Sequence, residues 1–176
     1  MDIAMILAKR YPDAQWSLDG DRYAGLRWHS EGKKPSLKYF QAEWAQVEYE
    51  AACEQVEADR KVAYRLTTDP IFFEVQRGDK TEQEWLDAVQ AVKDANPYPA
   101  MVFFDANTGL GSMGAQMGTG VTALTANRFV LEGSVFDEWN TAADGSGDSY
   151  ANKASYAFTA ELTLFAQWVP ETVEEV

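Results

Sequence analysis

The chain has 176 residues, 46% of them hydrophobic and 24% charged, so it can fold into one or two small domains with a packed core. Its 28 acidic residues outnumber 15 basic ones and give a net charge of -13, which disfavours nucleic-acid binding because phosphate backbones are held by clustered Lys and Arg. No segment approaches the roughly 18 apolar residues of a membrane span, so we expect no membrane insertion. One cysteine and one histidine cannot form a four-ligand zinc site, and we expect neither metal nor cofactor.

The charge divides the chain into two regions. In residues 100–176 only Arg128 and Lys153 are basic, against 10 acids. The change follows Asn96-Pro97-Tyr98-Pro99, where two prolines within three residues end a helix and stiffen the connection. We therefore predict an N-terminal helical anchoring domain, 1–97, a C-terminal module, 98–170, and an acidic tail, 171–176. The first residues carry an acid where a signal peptide carries positive charge, so secretion by the usual route is not expected.

The N-terminal domain is predicted to be mostly helical with one β-hairpin. A short amphipathic helix ends at Tyr11-Pro12, and Asp19-Gly20-Asp21 predicts the turn of a hairpin between two aromatic-bearing segments. Ser36 is a suitable N-cap for one long helix that reaches about Thr67 and stops at Thr68-Asp69-Pro70. The sequence Thr81-Glu82-Gln83-Glu84 is a capping box, which predicts that a final helix begins there.

The long helix carries an apolar seam with a 3-4-3-4 spacing. Two alternatives follow from it: the seam packs against the small sheet of the same chain, or it associates with another copy, although about two clean heptads are fewer than a coiled coil needs. The candidate self-association residues are Leu37, Phe40, Trp44, Val47 and Ala51.

The C-terminal region is predicted to form strands around 101–104, 135–139 and 162–168. Gly109-Leu110-Gly111-Ser112-Met113-Gly114 matches G-x-G-x-x-G, but further glycines and threonines follow it, so the helix that a dinucleotide site requires is not expected. Asp144-Gly145-Ser146-Gly147-Asp148 is interpreted as a turn rather than a calcium loop, with both glycines able to take positive φ. Cys53 is interpreted as a buried thiol, and nothing pairs it with His29 for catalysis, so the protein is not expected to be an enzyme.

Residues from about 101 to 168 resemble the Listeria–Bacteroides repeat, also called the internalin B-repeat. The resemblance rests on Phe104-Asp105-Ala106-Asn107, Gly111-Ser112-Met113-Gly114-Ala115-Gln116, Leu124-Thr125-Ala126-Asn127, Trp139 to Gly147 and Leu162 to Trp168. Three positions depart from the repeat: Ser134, Glu138 and Gly114 stand where Tyr, Gly and Pro are usual. The resemblance implies a small β-grasp-like module that acts as a spacer or adhesive unit, and hence an α+β chain. Its signature residues are Phe104, Asp105, Asn107, Gly133, Phe136, Trp139, Asp144, Gly145, Gly147, Leu164 and Trp168.

Residues 1–99 resemble, more weakly, small proteins encoded beside bacteriophage tail-fibre genes, through Met1-Asp2-Ile3-Ala4, Tyr11-Pro12-Asp13, the run Asp69 to Phe73, Trp85 and Lys93. Together the two resemblances imply a structural protein of a phage tail, fibre or baseplate, made in the host cytoplasm and carried on the virion. Its partners would be other virion proteins, a second copy, or a glycan or protein of the host surface. The alternatives are a tail-fibre assembly chaperone that is absent from the mature virion, and a cell-surface adhesin.

Overall fold

The computed structural model describes residues Met1–Glu171, so the predicted acidic tail, 171–176, lies outside the described residues except for its first member. The chain is α+β, as predicted, with helices and a hairpin before a β-rich region. It forms two compact units that divide between Ala51 and Ala52. The composition change at 96–99 falls within the second unit, and the predicted domain limits stay a prediction. No helix within residues 1–171 is both long and apolar enough to cross a membrane.

The first unit packs a short helix and a hairpin against the start of the long helix. Helix α1 (Ile3–Arg10) begins at Asp2, whose side chain accepts a hydrogen bond from the Met5 amide. Strands β1 (Trp16–Leu18) and β2 (Leu26–Trp28) pair antiparallel, which confirms the hairpin. A 3-10 turn, Tyr23–Gly25, occupies part of the predicted second strand. The core of this unit consists of Ile3, Ile6, Leu7, Leu26, Phe40 and Val47.

Helix α2 (Leu37–Ala63) begins as predicted, because the Ser36 hydroxyl accepts a hydrogen bond from the Tyr39 amide at 3.2 Å. The predicted stop at 68–70 is wrong. A π-helical turn, Tyr64–Thr68, leads directly into α3 (Asp69–Arg77). Pro70 lies in the first turn of α3, directly after the π-helical turn, where the regular α-helical bonding is already replaced: the Asp69 amide donates to the Tyr64 carbonyl five residues earlier. Residues 37–77 therefore form one helical run, which ends at Gly78 in the left-handed conformation.

Helix α4 (Glu82–Ala95) has the predicted capping box. The Thr81 hydroxyl accepts from the Glu84 amide at 3.3 Å, while the Glu84 carboxylate accepts from the Thr81 amide at 2.8 Å. These bonds to the charged form hold the pKa of Glu84 below its ordinary value. The helix ends at Asn96, where the composition changes.

The β-rich region contains seven strands between residues 100 and 171: β3 (Ala100–Asp105), β4 (Gln116–Gly118), β5 (Thr122–Ala123), β6 (Ser134–Asn140), β7 (Ser149–Tyr150), β8 (Ser155–Tyr156) and β9 (Leu162–Pro170). Five of them form a mixed sheet in the order β4-β3-β9-β6-β7, and β5 pairs with β8. The central strands β3 and β9 are parallel, with Phe104 opposite Leu164. This pairing brings together segments about sixty residues apart in sequence and fixes the loops at the ends of the sheet.

Candidate functional site

The predicted self-association seam lies largely inside the first unit. Phe40 and Val47 are fully buried in its core, and Trp44 packs against that core. Leu37 is exposed and Ala51 is half-buried. The seam therefore packs against its own chain along most of its length, which is the first of the two alternatives, and self-association through this face stays a prediction.

An ion-pair cluster joins α1 to α2 on the surface of the first unit. The Arg10 guanidinium donates to both oxygens of Glu50 at 2.8 Å and to Glu43 at 2.7 Å. The hydrogen bonds from Arg10 hold the pKa of Glu50 below its ordinary value. Burial, with a smaller contribution from Tyr11, raises the pKa of the nearby Tyr39 to about 12. The cluster therefore joins α1 to α2 within the first unit.

The first signature loop of the C-terminal region, Phe104 to Asn107, is held by side-chain to backbone hydrogen bonds. The Asp105 carboxylate accepts from the Asn107 amide at 2.8 Å, and the Asn107 side chain donates to the carbonyls of Ala143 and Ala166. Asn107 has a φ of 45°, in the left-handed region that Asn tolerates better than most residues. The Asp and Asn of this loop thus have structural roles that join it to the strand β9 and to the 141–148 loop.

Asn140 is the centre of the second signature loop. Its buried amide donates to the carbonyls of Gly145 and Gly147, and its oxygen accepts from the amides of Ala142 and Gly147 at 2.9 Å. The interpretation of residues 144–148 as a turn is supported by Asp144, whose carboxylate accepts from the hydroxyl and the amide of Ser146. These bonds lower the pKa of Asp144. Within residues 1–171 no group of three or more His, Cys, Asp or Glu side chains could hold a metal ion.

The two glycines of this loop are needed for different reasons. Gly145 has a φ of 77°, in the left-handed region that a glycine can adopt, whereas Gly147 does not have a positive φ. A Cβ on Gly147 would collide with the Thr141 hydroxyl and would lie 2.8 Å from the Asn140 oxygen. Gly147 is therefore required by the close approach of its backbone to Asn140, a tertiary contact that sequence reasoning did not identify.

The aromatic signature residues form the core of the C-terminal region. Trp139 is fully buried, with the rings of Phe104 and Phe136 each 4.9 Å away between centroids. Its indole N–H has no hydrogen-bond acceptor among the described residues. Trp168 is half-buried, and its N–H donates to the Ala106 carbonyl at 3.0 Å. Leu164 completes this core, so these residues have packing roles.

The G-x-G-x-x-G segment is a loop followed by the strand β4, as predicted, and no helix begins at its third glycine. Its first glycine has a steric role, because a Cβ on Gly109 would lie 2.7 Å from the Trp168 ring. Gly133, with a φ of 68°, turns the chain between Leu131 and Ser134. The segment thus lacks the helix that a dinucleotide site requires after its third glycine, because it continues into β4.

One position where the sequence departs from the repeat coincides with an irregularity of the sheet. The pairing of β6 with β9 shifts between Phe136 and Trp139, which is where Glu138 replaces the usual Gly. The Glu138 carboxylate accepts a hydrogen bond from the Ser149 hydroxyl on β7. The departure is thus accommodated by a bond to the neighbouring edge strand.

Four exposed aliphatic side chains form a row across one end of this region. Leu110 pairs with Val130, and Val135 pairs with Val169, while Val130 and Val135 flank the turn closed by Leu131 and Ser134. Paired residues of antiparallel strands point to the same face, so Leu110 shares a face with Val130, and Val135 shares a face with Val169. Because Leu131 pairs with Ser134, Val130 and Val135 are the next residues outward on the two sides of this turn, and we infer that the two pairs are neighbours. They are 69%, 63%, 45% and 39% exposed in the order Leu110, Val130, Val135 and Val169. We call these four residues the aliphatic row; sequence reasoning missed it because alternation does not indicate which apolar residues remain uncovered.

A cleft of about 480 Å³ lies beside the helical run, lined by Glu57, Arg60, Lys61, Tyr64, Arg65, Asp69 and Tyr98. Arg60 has a structural role in it: its guanidinium donates to the carbonyls of Asn96 and Lys93 and lies 4.4 Å from the Tyr98 ring centroid. Arg60 thereby ties the C-terminal end of α4 to α2. The charges of the cleft are mixed, so it is not a basic site for nucleic acid.

The two residues considered for nucleophilic chemistry belong to different compact units. His29 belongs to the first unit, where its ring contacts the Ser17 hydroxyl at 2.9 Å, and Cys53 belongs to the second. Cys53 is half-buried rather than buried as predicted, because it lies on a helix face with only partial cover.

Comparison with known proteins identifies the C-terminal region alone. No curated protein matches the chain. The match to a family begins at Met101 in β3 and ends at Gln167 in β9, so it spans the mixed sheet and both signature loops. The match does not extend into the helical region, and it does not show the resemblance of residues 1–99 to phage proteins. Residues 101–167 match the Listeria-Bacteroides repeat domain, and the chain therefore carries one such repeat at its C-terminal side.

Proposed function

We propose that this protein is non-enzymatic and acts by making contacts, with the repeat domain as a spacer or adhesive unit and the helical region as its anchor. The observation that carries this proposal is the match of residues 101–167 to the Listeria-Bacteroides repeat domain, which suggests a surface-associated, adhesion-like module. The polar side chains of the signature loops support it, because Asp105, Asn107, Asn140 and Trp168 all make hydrogen bonds that hold these loops.

The aliphatic row is the surface of the repeat that we propose to make the contact. Exposed apolar patches of a few hundred Å² on a soluble protein commonly mark interaction sites. Glu132 and Asp137 are exposed near the row. Aliphatic side chains with acidic neighbours complement an apolar, basic protein surface better than a glycan, which usually stacks on aromatic rings.

We further propose that the protein is carried on the tail, fibre or baseplate of a phage virion. This setting rests on the resemblance of residues 1–99 to proteins encoded beside tail-fibre genes. The chain's net charge of -13 supports a component that contacts proteins rather than the packaged genome.

Mass spectrometry of virions purified from the source phage tests the setting. A structural protein is recovered at a fixed ratio to the tail proteins, whereas an assembly chaperone is absent from the particle. Deleting residues 36–67 would not be informative, because it removes Phe40 and Val47 from the core of the first unit. Point variants of the full-length chain keep this core intact and are therefore used for the test.

Val130→Glu and Leu110→Glu place charges in the aliphatic row without touching the buried core. We expect these variants to enter the virion in normal amounts and to lower adsorption to host cells at least tenfold. Thr163→Glu, at an exposed position of β9 outside the row, is the matched control and should adsorb normally. Normal adsorption of both row variants would contradict the contact role of the row, and absence of the protein from virions would contradict the setting.

A further inference from the structure

A second exposed apolar surface follows the helical run and is not explained by the packing of the chain. Leu66 is 69% exposed, Phe73 is 59% exposed and Val62 is 46% exposed. We call Val62, Leu66, Asp69 and Phe73, with the adjacent Arg65, the outer stripe. Large apolar side chains left in water lose the favourable free energy of burial, so such a stripe is typical of an interaction surface.

The spacing of the outer stripe is that of a helix pairing seam. Its four members are separated by four, three and four residues, and they span roughly 17 Å along the axis at 1.5 Å per residue. The π-helical turn Tyr64–Thr68 alters the local register. The exposure of Val62 before the turn, Leu66 within it and Phe73 after it nevertheless shows that the run has a solvent-facing side on both sides of the turn. The opposite side of this run is occupied, since Phe72 packs on Trp85 of α4 with ring centroids 5.6 Å apart.

The charges on the outer stripe are self-complementary. Arg65 and Asp69 lie one turn apart, both are exposed, and neither forms an ion pair within the described part of the chain. In a parallel pair of copies, Arg65 would face Arg65 and Asp69 would face Asp69. In an antiparallel pair around a two-fold axis near residue 67, each Arg65 faces the Asp69 of the other copy.

The same antiparallel arrangement places the apolar residues of the two copies opposite each other. The two Leu66 side chains meet close to the axis, and Val62 of each copy lies opposite Phe73 of the other. We infer that the outer stripe is a homodimer interface, in which two copies of this chain pair antiparallel through α2, the π-helical turn and α3. This self-contact lies further along the helical run than the predicted seam, whose middle is used for the core of the first unit.

The stripe is short compared with the roughly 800 Å² per partner of a standard interface. We therefore expect a weak dimer that forms in the micromolar rather than the nanomolar range. The inference does not depend on the proposed function, because the stripe lies outside the repeat domain at 101–167. Failure of the dimer would leave the proposed role of the repeat unaffected.

Sedimentation equilibrium of the full-length chain across a concentration series tests the inference. The wild-type protein should shift from monomer to dimer, and Leu66→Glu and Phe73→Glu should each weaken the dimer at least tenfold. Leu86→Glu, at another exposed apolar position in α4, is the matched control and should dimerise normally. A wild-type chain that stays monomeric, or a control that dissociates as strongly as Leu66→Glu, would overturn the inference.

Charge exchange tests the antiparallel geometry. Arg65→Asp alone and Asp69→Arg alone should each weaken the dimer, and the double variant should recover most of the wild-type affinity because the two charges exchange places across the axis. Circular dichroism of each variant checks that the helices persist. A double variant weaker than both single variants, with its helices intact, would rule out the antiparallel pairing.

Discussion

The first unit has a mainly aliphatic core and the repeat domain an aromatic one, and the two hold their connecting segments in different ways. In the first unit, residues 1–51, α1 is joined to α2 by partly exposed ion pairs from Arg10 to Glu43 and Glu50. In the repeat domain, the loops are held by buried or half-buried amide side chains, mainly Asn107 and Asn140. Buried hydrogen bonds are costly to break because the freed groups cannot reach water, whereas exposed ion pairs contribute little. The repeat should therefore be more sensitive to single polar substitutions.

The largest effect is expected where the repeat has its core. Trp139→Ala should destabilise the repeat by about 3–5 kcal/mol, because it removes the ring that Phe104 and Phe136 pack on. Hydrogen-exchange mass spectrometry should show lost protection in peptides from 100–170 and retained protection in residues 1–51. Trp139→Phe is the control and should cost far less, since the indole N–H has no acceptor to lose. An equal loss of hydrogen-exchange protection in residues 1–51 and 100–170 would show that the two regions unfold together.

Asn140→Ala tests whether a buried Asn side chain holds a loop of the repeat domain. The change leaves the amides of Ala142 and Gly147 without their acceptor, and we expect a loss of about 3 kcal/mol in chemical denaturation. Asn152→Ala is the matched control, because the Asn152 side chain accepts from the Asn127 amide at an exposed site, and it should cost less than about 1 kcal/mol. If the two variants were equally stable, the buried network would not be what holds the loop.

The two glycines of the same loop are required for different reasons: Gly147 for the space at its Cβ position, and Gly145 for its left-handed φ. Gly147→Ala should cost about 2 kcal/mol, because its Cβ meets the Thr141 hydroxyl and lies 2.9 Å from the Ala142 nitrogen. Gly145→Ala should cost about 1 kcal/mol, since it adds left-handed strain and its nearest neighbour is the flexible end of Gln167. Thermal denaturation of both variants shows which one is less stable. A lower stability of Gly145→Ala than of Gly147→Ala would contradict the close approach at Gly147.

The smallest effect is expected in the ion-pair cluster of the first unit. Because the pKa of Glu50 is lowered in the folded state, its stabilising contribution is present above the ordinary value near 4.5 and is lost as the pH falls through the lowered value. Glu50→Gln should therefore cost about 0.5 kcal/mol at pH 7 and almost nothing at strongly acidic pH. Glu48→Gln, exposed on the same helix, is the control. A stability difference between the wild type and Glu50→Gln that grows as the pH falls would contradict a lowered pKa of Glu50 in the folded state.

Much of the local structure could be predicted because it depends on short-range interactions. The capping box at Thr81 and Glu84, the N-cap at Ser36 and the turn after Leu18 each involve residues a few positions apart, and the structure confirms them. The repeat was identified from sequence for a related reason: its signature loops require particular side chains, such as Asn107 in left-handed conformation and Gly147 against Asn140. Replacing these side chains would therefore destabilise the conformation of the loops that contain them.

The end of the long helix could not be predicted in the same way. Thr68-Asp69-Pro70 carries a local stop signal, yet the chain continues through a π-helical turn because Phe72 of α3 packs on Trp85 of α4. The apolar spacing of α2 likewise does not indicate which residues become covered. Phe40 and Val47 are buried by α1 and the hairpin, whereas Leu66 and Phe73 remain in solvent.

The sequence by itself determined the α+β class, the caps and turns, and the identity of the repeat at 101–167, since each depends on local conformational preference or on side chains at fixed spacing. Only the tertiary structure decided which apolar residues are core and which are surface, and so where the aliphatic row and the outer stripe lie. The physical reason is that burial depends on contacts between segments distant in sequence, such as β3 beside β9, and periodicity does not specify those contacts.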